Sequence, residues 1–253
     1  MALFLIEDIY NQKDNFKDTP QKILNYLERN KIKPFKRGTK SQCTAWILNK
    51  DNQSDFDKYC STIREFLNKI NSDNYEAIIH KIDTLNIKTS KELEIIIQFI
   101  IDKAIREEKY AAIYAKLSNH LAGLVVHEND KDFIFKKLLL LACQKFFIKI
   151  TTQQNIRKND SIAFICFISE LYNQHILSTD TLANCFNVFI NKADRNNLMV
   201  DMIITMFNIV SVCYSKHDND KYNTTVSKLK KLCDDPKLSK RESIILAEAL
   251  DIN

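Results

Sequence analysis

The sequence contains very few of the residues that make tight turns. Of its 253 residues, two are glycine and three are proline, where average usage predicts roughly thirty of the two together. Glycine-rich phosphate loops, nucleophile elbows and tight β-hairpins need backbone angles that glycine adopts at low cost, so this scarcity argues against all three. We therefore expect a helical protein whose function resides on its surfaces and not in a catalytic pocket.

Patterns of metal ligands and of paired cysteines are also missing. The seven cysteines are scattered singly, without a CxxC pair, and most fall in apolar stretches, which is typical of buried thiols in a reducing compartment. The five histidines lie far apart along the chain, with no cysteine or carboxylate at ligand spacing. Neighbouring acids such as Glu107 and Glu108 are expected on a solvated helix face, which does not favour acid–base catalysis. The sequence thus predicts no enzyme activity, no metal and no cofactor.

Long apolar runs and a large charge of one sign are not found either. No stretch approaches the ~18 apolar residues that a membrane span needs, and residues 1–10 include two acids and no basic leader. The chain has 37 Lys and Arg against 32 Asp and Glu, a formal net charge of +5. This mild excess permits contacts with phosphates or acidic proteins without requiring either. We expect a cytoplasmic monomer with no membrane partner.

Apolar residues recur at helical spacing over most of the chain. One segment has them at positions i, i+3, i+4, i+7 and i+8, a single stripe formed by Leu93, Ile96, Ile97, Ile100 and Ile101. Short polar breaks, several with a Ser or Asn that can cap a helix, separate ten such segments. The predicted helices span residues 55–70, 73–84, 88–106, 109–124, 131–148, 159–174, 178–191, 195–214, 220–233 and 238–250.

The spacing of these segments predicts their arrangement. Short connections favour antiparallel neighbours, so the helices are expected to form five pairs, and a repeat of about 40 residues is the length of a HEAT-like unit. We therefore predict an all-α fold, an α-solenoid of five HEAT-like antiparallel helix pairs over residues 51–253. Such a stack presents long grooves and helix ridges to large partners.

Residues 1–50 differ in composition from the rest of the chain. They contain two of the three prolines, a basic cluster over residues 33–40 and the single tryptophan, Trp46. The region has too few apolar residues for a core of its own. We predict an N-terminal basic arm, with a short helix near residues 21–29.

Three segments occur in the order and spacing of a known family. They are residues 67–75 (LNKINSDNY), 102–117 (DKAIREEKYAAIYAKL) and 135–147 (FKKLLLLACQKFF). Weaker similarities follow at residues 167–178 and 246–252. Together these segments resemble the middle domain of eukaryotic translation initiation factor 4 gamma, over about residues 59–253. One departure is the sequence AFIC at residues 163–166, where the family has Gly-Asn-Ile-Lys.

The resemblance implies a HEAT-like crescent of ten helices without catalytic activity. It also implies a scaffold that clamps the two RecA-like lobes of the DEAD-box RNA helicase of the cap-binding complex and contacts mRNA. Cap-binding protein is a weaker candidate partner, because residues 10–16 approach the family's binding helix but have Asn15 in place of leucine. An RNA-processing or nonsense-mediated-decay adaptor shares the same solenoid. A generic solenoid that binds acidic peptides or nucleic acid directly is a third hypothesis.

The helicase-binding positions implied by the resemblance lie near the start of the solenoid. Trp46, in the dipeptide Ala45-Trp46, matches a family linker that packs on the helicase. Leu67, Ile70 and Tyr75 match the apolar positions of the first segment. The alternative is a packing role, with Trp46 as a cap on the first helix and the others as core residues.

The basic cluster of the arm is a candidate RNA-binding site. Its cations can contact phosphates while its aromatic ring stacks on a base, a mode whose affinity falls steeply with salt. The candidate residues are Lys33, Phe35, Lys36, Arg37 and Lys40. The alternative is a solubilising tail. Three lysines on the fifth predicted helix also match the family by position, although lysines on a helix are usually only solvated; they are Lys136, Lys137 and Lys145.

Overall fold

The computed structural model describes residues 55–152, 156–193 and 197–250, which form ten α-helices and one β-hairpin. The first helices are α1 (Asp55–Lys69), α2 (Tyr75–Asp83), α3 (Ser90–Arg106) and α4 (Ala111–Leu121). The hairpin consists of β1 (Val125–Glu128) and β2 (Lys131–Ile134). The helices that follow are α5 (Phe135–Thr151), α6 (Lys158–Asn173), α7 (Thr179–Ile190), α8 (Asn197–His217), α9 (Asn219–Cys233) and α10 (Lys240–Ala249).

The helices alternate between two layers, which confirms the predicted all-α, HEAT-like solenoid. In one layer α4, α6, α8 and α10 pack one against the next. In the other layer α1, α3 and α5 pack in sequence, and α7 and α9 continue it. Contact between α5 and α7 includes the rings of Phe147 and Phe189, whose centroids lie 5.3 Å apart. Four of the five predicted pairs pack closely, namely α1–α2, α3–α4, α7–α8 and α9–α10. In the fifth pair, the rings of Phe146 on α5 and Phe164 on α6 lie 4.7 Å apart.

The core centres on α6, which packs against α3, α4 and α8. Phe164, Phe167 and Leu171 on this helix are completely buried. A helix enclosed by neighbours on several sides has to be apolar around most of its circumference, and the α6 sequence meets that requirement. The buried hydroxyl of Ser169 is satisfied within the helix, because it donates to the Ile165 carbonyl at 2.7 Å.

The β-hairpin contradicts the expectation that scarce glycine excludes tight hairpins. Its antiparallel strands pair Val125 with Ile134 and Glu128 with Lys131. The turn residues Asn129 and Asp130 have φ values of 50° and 57°. Asn and Asp enter this left-handed region more readily than other side chains, so the pair replaces the glycine that such turns usually contain. The hairpin also delays the fifth helix, which was predicted from residue 131 and begins at Phe135.

The hairpin is joined to the beginning of α3 by a carboxylate. Glu128 Oε2 accepts a hydrogen bond from the Ser90 backbone N–H at 2.8 Å. Beside it, Thr89 and Glu92 form a capping box. The hydrogen bonds from Ser90 hold the pKa of Glu128 below its usual value. Two chain segments therefore supply acceptors to the same helix N-terminus, where the helix dipole favours negative charge.

One helix departs from the expectation about apolar runs. By length and composition alone, α8 is long and apolar enough to cross a membrane. In the described fold it lies within the stack and packs against α6, α7, α9 and α10. Met202, Ile203 and Met206 on this helix are completely buried. The predicted arm over residues 1–50, with its helix near residues 21–29, lies outside the described residues and stays a prediction.

We predict that Glu128→Gln lowers the thermal unfolding midpoint at pH 7 and that this loss becomes smaller as the pH falls towards 3. The folded-state pKa is depressed, so the contribution of the carboxylate is present above the unfolded pKa of about 4.3 and is lost as the pH falls through the folded value. Circular dichroism melts between pH 3 and pH 7 measure the difference. Glu248→Gln, on the exposed side of α10, is the control. An equal loss at both pH values would contradict the prediction.

Candidate functional site

Two asparagines hold the turn between α1 and α2, the turn within the first family-like segment. Asn71 Oδ1 accepts hydrogen bonds from the N–H groups of Asp73 and Asn74, at 3.0 Å each. In return, Asn74 Oδ1 accepts from the Asn71 N–H at 2.8 Å, and the Asn74 amide donates to the Lys69 carbonyl at 2.7 Å. These bonds satisfy backbone groups that a helix end leaves open. The turn is therefore a well-defined part of the surface.

The apolar positions of this segment lie in the core. Leu67, Ile70 and Tyr75 are 2%, 5% and 6% exposed. Side chains with so little accessible area offer almost no direct contact to a partner, so their position favours the packing alternative. Burial raises the pKa of Tyr75 to about 12, and Lys116 Nζ lies 3.8 Å from the centre of its ring. A role for these residues in helicase binding stays a prediction. Because they are buried, such a role would act through their exposed neighbours.

The remaining predicted site residues cannot be placed on this surface. Trp46 and the basic cluster of the arm lie outside the described residues. The members of that cluster are Lys33, Phe35, Lys36, Arg37 and Lys40.

Three adjoining grooves run across the layer formed by α1, α3, α5 and α7, and we call this surface the odd-helix face. The α1–α3 groove has a volume of about 400 Å³, the α3–α5 groove about 450 Å³ and the α5–α7 groove about 800 Å³. Asp102 lines the first two grooves, and Leu141 lines the second and third. Neighbouring grooves therefore adjoin at a shared residue.

The odd-helix face combines positive charge with exposed apolar surface. Its grooves are lined by the bases Arg64, Lys103, Arg106, Lys136, Lys137, Lys145 and Lys149, and by the acids Glu94 and Asp102. The Arg64 guanidinium lies 4.5 Å from the centre of the Phe99 ring. Leu141 and Ile148 on α5 are 52% and 50% exposed. Such a surface suits an acidic protein partner or the phosphates of RNA.

Glu107, at the corner between α3 and α4, is less solvated than the sequence suggested. Its Oε2 accepts a hydrogen bond from the buried Tyr114 hydroxyl at 2.6 Å, and its Oε1 pairs with Lys103 Nζ at 2.5 Å. Burial raises the pKa of Glu107, but the hydrogen bonds from Lys103 and Tyr114 outweigh burial and leave the pKa below its usual value. The expectation of a solvated helix face is wrong for Glu107. Its ionised carboxylate fixes the corner that carries the second family-like segment.

The cysteines of the described residues are free thiols. Burial raises the pKa of Cys143, Cys166 and Cys185 to about 12 in each case, so these thiols stay protonated and weakly nucleophilic at neutral pH. Among the residues that the structure describes, no group of three or more His, Cys, Asp or Glu side chains could hold a metal ion.

Sequence reasoning named Lys136, Lys137 and Lys145 on the odd-helix face but missed the other exposed residues that line its grooves. Asn68 belongs to the first family-like segment, but only its apolar neighbours were predicted to bind, and Phe99 lies within a run of buried isoleucines, between Ile97 and Ile100. A usable signal was present in α5, where four lysines and no acid accompany an almost continuous apolar run. That pattern gives a helix whose outer side is both basic and apolar.

A family model described as the MIF4G domain matches residues 60–252. Among solved structures, the chain resembles the crystal structure of the MIF4G domain of Trypanosoma cruzi translation initiation factor EIF4G5, with a TM-score of 0.49 and 16% identity, over 77% of this chain and 94% of that chain.

Several curated proteins are similar to this chain. It is 26% identical, over 81% of its length, to a von Willebrand factor A domain-containing protein of Dictyostelium discoideum. It is 23% identical over 75% of its length both to eukaryotic translation initiation factor 4 gamma 1 of Mus musculus and to eukaryotic translation initiation factor 4G of Arabidopsis thaliana. The matches cover 11%, 14% and 13% of these three relatives.

We predict that Leu67→Ala and Asn68→Ala have very different effects on stability. Leu67 is buried, so its truncation leaves a cavity and costs about 2–5 kcal/mol of the free energy of unfolding. Asn68 is exposed, and its truncation changes that free energy by about 0.5 kcal/mol or less. Urea unfolding followed by circular dichroism measures both. Equal unfolding midpoints for the two variants would show that Leu67 is not a core residue.

Proposed function

The chain belongs to the MIF4G domain family, and on this premise we propose that it is a non-enzymatic scaffold of translation initiation that binds the DEAD-box RNA helicase of the cap-binding complex and contacts RNA. The observation that carries the proposal is the family match over residues 60–252. Similarity to initiation factors 4 gamma of mouse and Arabidopsis over three quarters of the chain supports the initiation branch of the family.

The α1–α3 groove is the surface that we propose for helicase binding at the first repeat. Arg64, Asn68 and Phe99 line it, and Leu67 also reaches its floor, although only 2% of Leu67 is exposed. Arginine is enriched among the residues that dominate binding energy at interfaces. In this groove, Arg64 lies over the Phe99 ring. The apolar residues of the family-like segment therefore act by positioning the exposed residues next to them.

A scaffold without a reaction centre stimulates a helicase through differential affinity. A second, weaker contact at the other end of the solenoid holds the second RecA-like lobe. Binding accelerates the helicase cycle only when the scaffold prefers the productive arrangement of the two lobes over the open arrangement. Stimulation of the ATPase and affinity for the helicase are therefore separate measurements.

The alternative function is an adaptor of RNA processing or nonsense-mediated decay. The similarity to the Dictyostelium protein, whose name refers to a von Willebrand factor A domain, shows that the relatives of this chain are not all named as initiation factors. The two functions differ in the partner, since an adaptor binds another DEAD-box protein or a surveillance factor in preference to the initiation helicase.

We predict that Trp46→Ala and Asn68→Arg each weaken binding of the initiation helicase. Loss of a tryptophan anchor costs about 2 kcal/mol, or about 30-fold in Kd. An arginine at position 68 places a longer, charged side chain in the α1–α3 groove. Pull-down and titration with the helicase, followed by an RNA-stimulated ATPase assay, measure both effects.

Asn208→Arg is the matched control for the substitution in the groove, because Asn208 is exposed on α8 in the other layer. It is expected to bind the helicase as the parent chain does. Absence of helicase binding by the parent chain at micromolar concentration would refute the proposed function. Preference for a different DEAD-box protein would support the adaptor.

We also predict that charge reversal in the arm changes how RNA binding depends on salt. Lys36→Glu with Arg37→Glu removes two candidate phosphate-binding cations, so the slope of log Kd against log salt falls by about 0.7 for each cation removed from a contact with single-stranded RNA. Fluorescence anisotropy with a labelled U20 RNA between 50 and 200 mM KCl provides the slope. Lys13→Glu with Lys17→Glu is the control with equal charge change, and an identical slope for both pairs would mean that the basic cluster has no specific role.

A further inference from the structure

We propose that the α5–α7 groove binds an acidic amphipathic helix of a partner protein. Such binding goes beyond the proposed helicase and RNA contacts, since the groove shares no lining residue with the α1–α3 groove. The shape of the groove, its apolar lining and the sign of its charge all support this kind of ligand.

The groove has the dimensions of a short helix. Its lining on α5 extends from Lys136 to Phe147, about 16 Å at the helical rise per residue, or three turns. Its volume of about 800 Å³ holds several aliphatic side chains. At one end, the Phe147 and Phe189 rings meet at 5.3 Å and Lys192 Nζ donates to the Thr151 carbonyl at 2.6 Å, so α5 and α7 close together there.

The lining of the groove is mainly apolar. Leu140, Leu141 and Phe147 contribute from α5, Ile168 from α6 and Val188 from α7. Leu141 is half exposed, although a leucine gains free energy by leaving water. Aliphatic anchors of a partner are the natural complement of such a lining.

The charge of the groove selects an acidic partner. Lys136 and Lys137 line it near the beginning of α5, and none of the described residues that line it is acidic. The nearby Asp180 on α7 is paired with Lys221 at 2.8 Å, which offsets its charge. Acidic side chains flanking the apolar stripe of a partner would meet these lysines, whereas basic ones would be repelled.

The walls of the groove favour a helix over an extended peptide. Both walls are helices, whose backbone N–H and C=O groups are already bonded within each helix. The α6–α7 connection also lines the groove, but there the Ile176 and Leu177 N–H groups bond to the Leu171 carbonyl. An extended segment would therefore find few backbone partners in the groove, while a helix satisfies its own. The expected ligand is a helix of about three turns, with aliphatic residues at i, i+3 or i+4 and i+7 and with Asp or Glu beside them.

A designed peptide tests the proposal directly. The probe is a fluorescein-labelled, acetylated helical 18-mer with Leu at i, i+3, i+4 and i+7 and Glu on the flanking positions. One control peptide replaces each Glu by Lys, and another replaces each Leu by Ser. Anisotropy titrations in 100 mM KCl are expected to show binding of the acidic peptide only.

Two single variants of the protein locate the site, and both alter exposed residues so that folding is retained. Leu141→Glu and Lys137→Glu are each expected to weaken binding of the acidic peptide about tenfold or more, through repulsion of its Glu residues and, at Leu141, through reduced burial of its Leu residues. Val212→Glu on α8 and Lys231→Glu on α9 alter exposed residues of the same types and are expected to leave binding unchanged. Circular dichroism melts of all four variants verify the fold.

The outcomes separate this proposal from its competitors. Equal binding of the acidic peptide to the parent chain and to Leu141→Glu, or equal binding of the acidic and basic peptides, would overturn it. A third outcome is that Lys137→Glu weakens binding of U20 RNA while neither variant changes binding of the peptide. That outcome would assign the lysines to RNA and would also overturn the proposal. Helicase binding is expected to be the same for Leu141→Glu and the parent chain, so a failure of the helicase experiments leaves this test intact.

Discussion

Burial of α6 by helices of both layers is the constraint on which the rest of the structure depends. Its aromatic and aliphatic side chains meet α3, α4 and α8, and full burial of each large side chain contributes about 1.5–3 kcal/mol relative to exposure. The neighbours must therefore turn their own apolar stripes towards α6. Their other sides, and the grooves between successive helices, are left for partners. The odd-helix face is in this sense a consequence of how the core is built.

Asparagine, aspartate and histidine occupy turn positions where glycine is usual, in a chain that has almost no glycine. Asn71 and Asn74 close the α1–α2 turn with their side chains, and the hairpin turns at Asn129 and Asp130. Two residues beyond the end of α6, His175 has a φ of 60°, and the Ile176 N–H bonds to the Leu171 carbonyl across that end. Polar side chains thus supply the angles and hydrogen bonds that glycine provides elsewhere.

The periodicity of apolar residues predicted the helices, because a helix that is buried on one side has apolar residues at the spacing of the helical turn. The stripe from Leu93 to Ile101 is buried as expected. The hairpin escaped prediction because two residues, Asn129 and Asp130, determine it against a general shortage of glycine. The residues of the binding site were harder to predict from the sequence. Leu67 and Tyr75 would match the family segment whether they contact a partner or pack in the core. Only the packing of α1 on α3 shows that Asn68 and Phe99 are the residues that border open space.

The connection between α8 and α9 consists of Asp218 alone, whose carboxylate accepts from the Lys221 N–H at 3.0 Å and pairs with Lys221 Nζ at 3.1 Å. A link of one capped residue has almost no slack, whereas α2 and α3 are joined by residues 84–89. Relative motion of α8 and α9 is therefore more restricted than that of helices joined by six residues, such as α2 and α3 or α9 and α10. A ligand that pulls on either helix of this pair will displace both together.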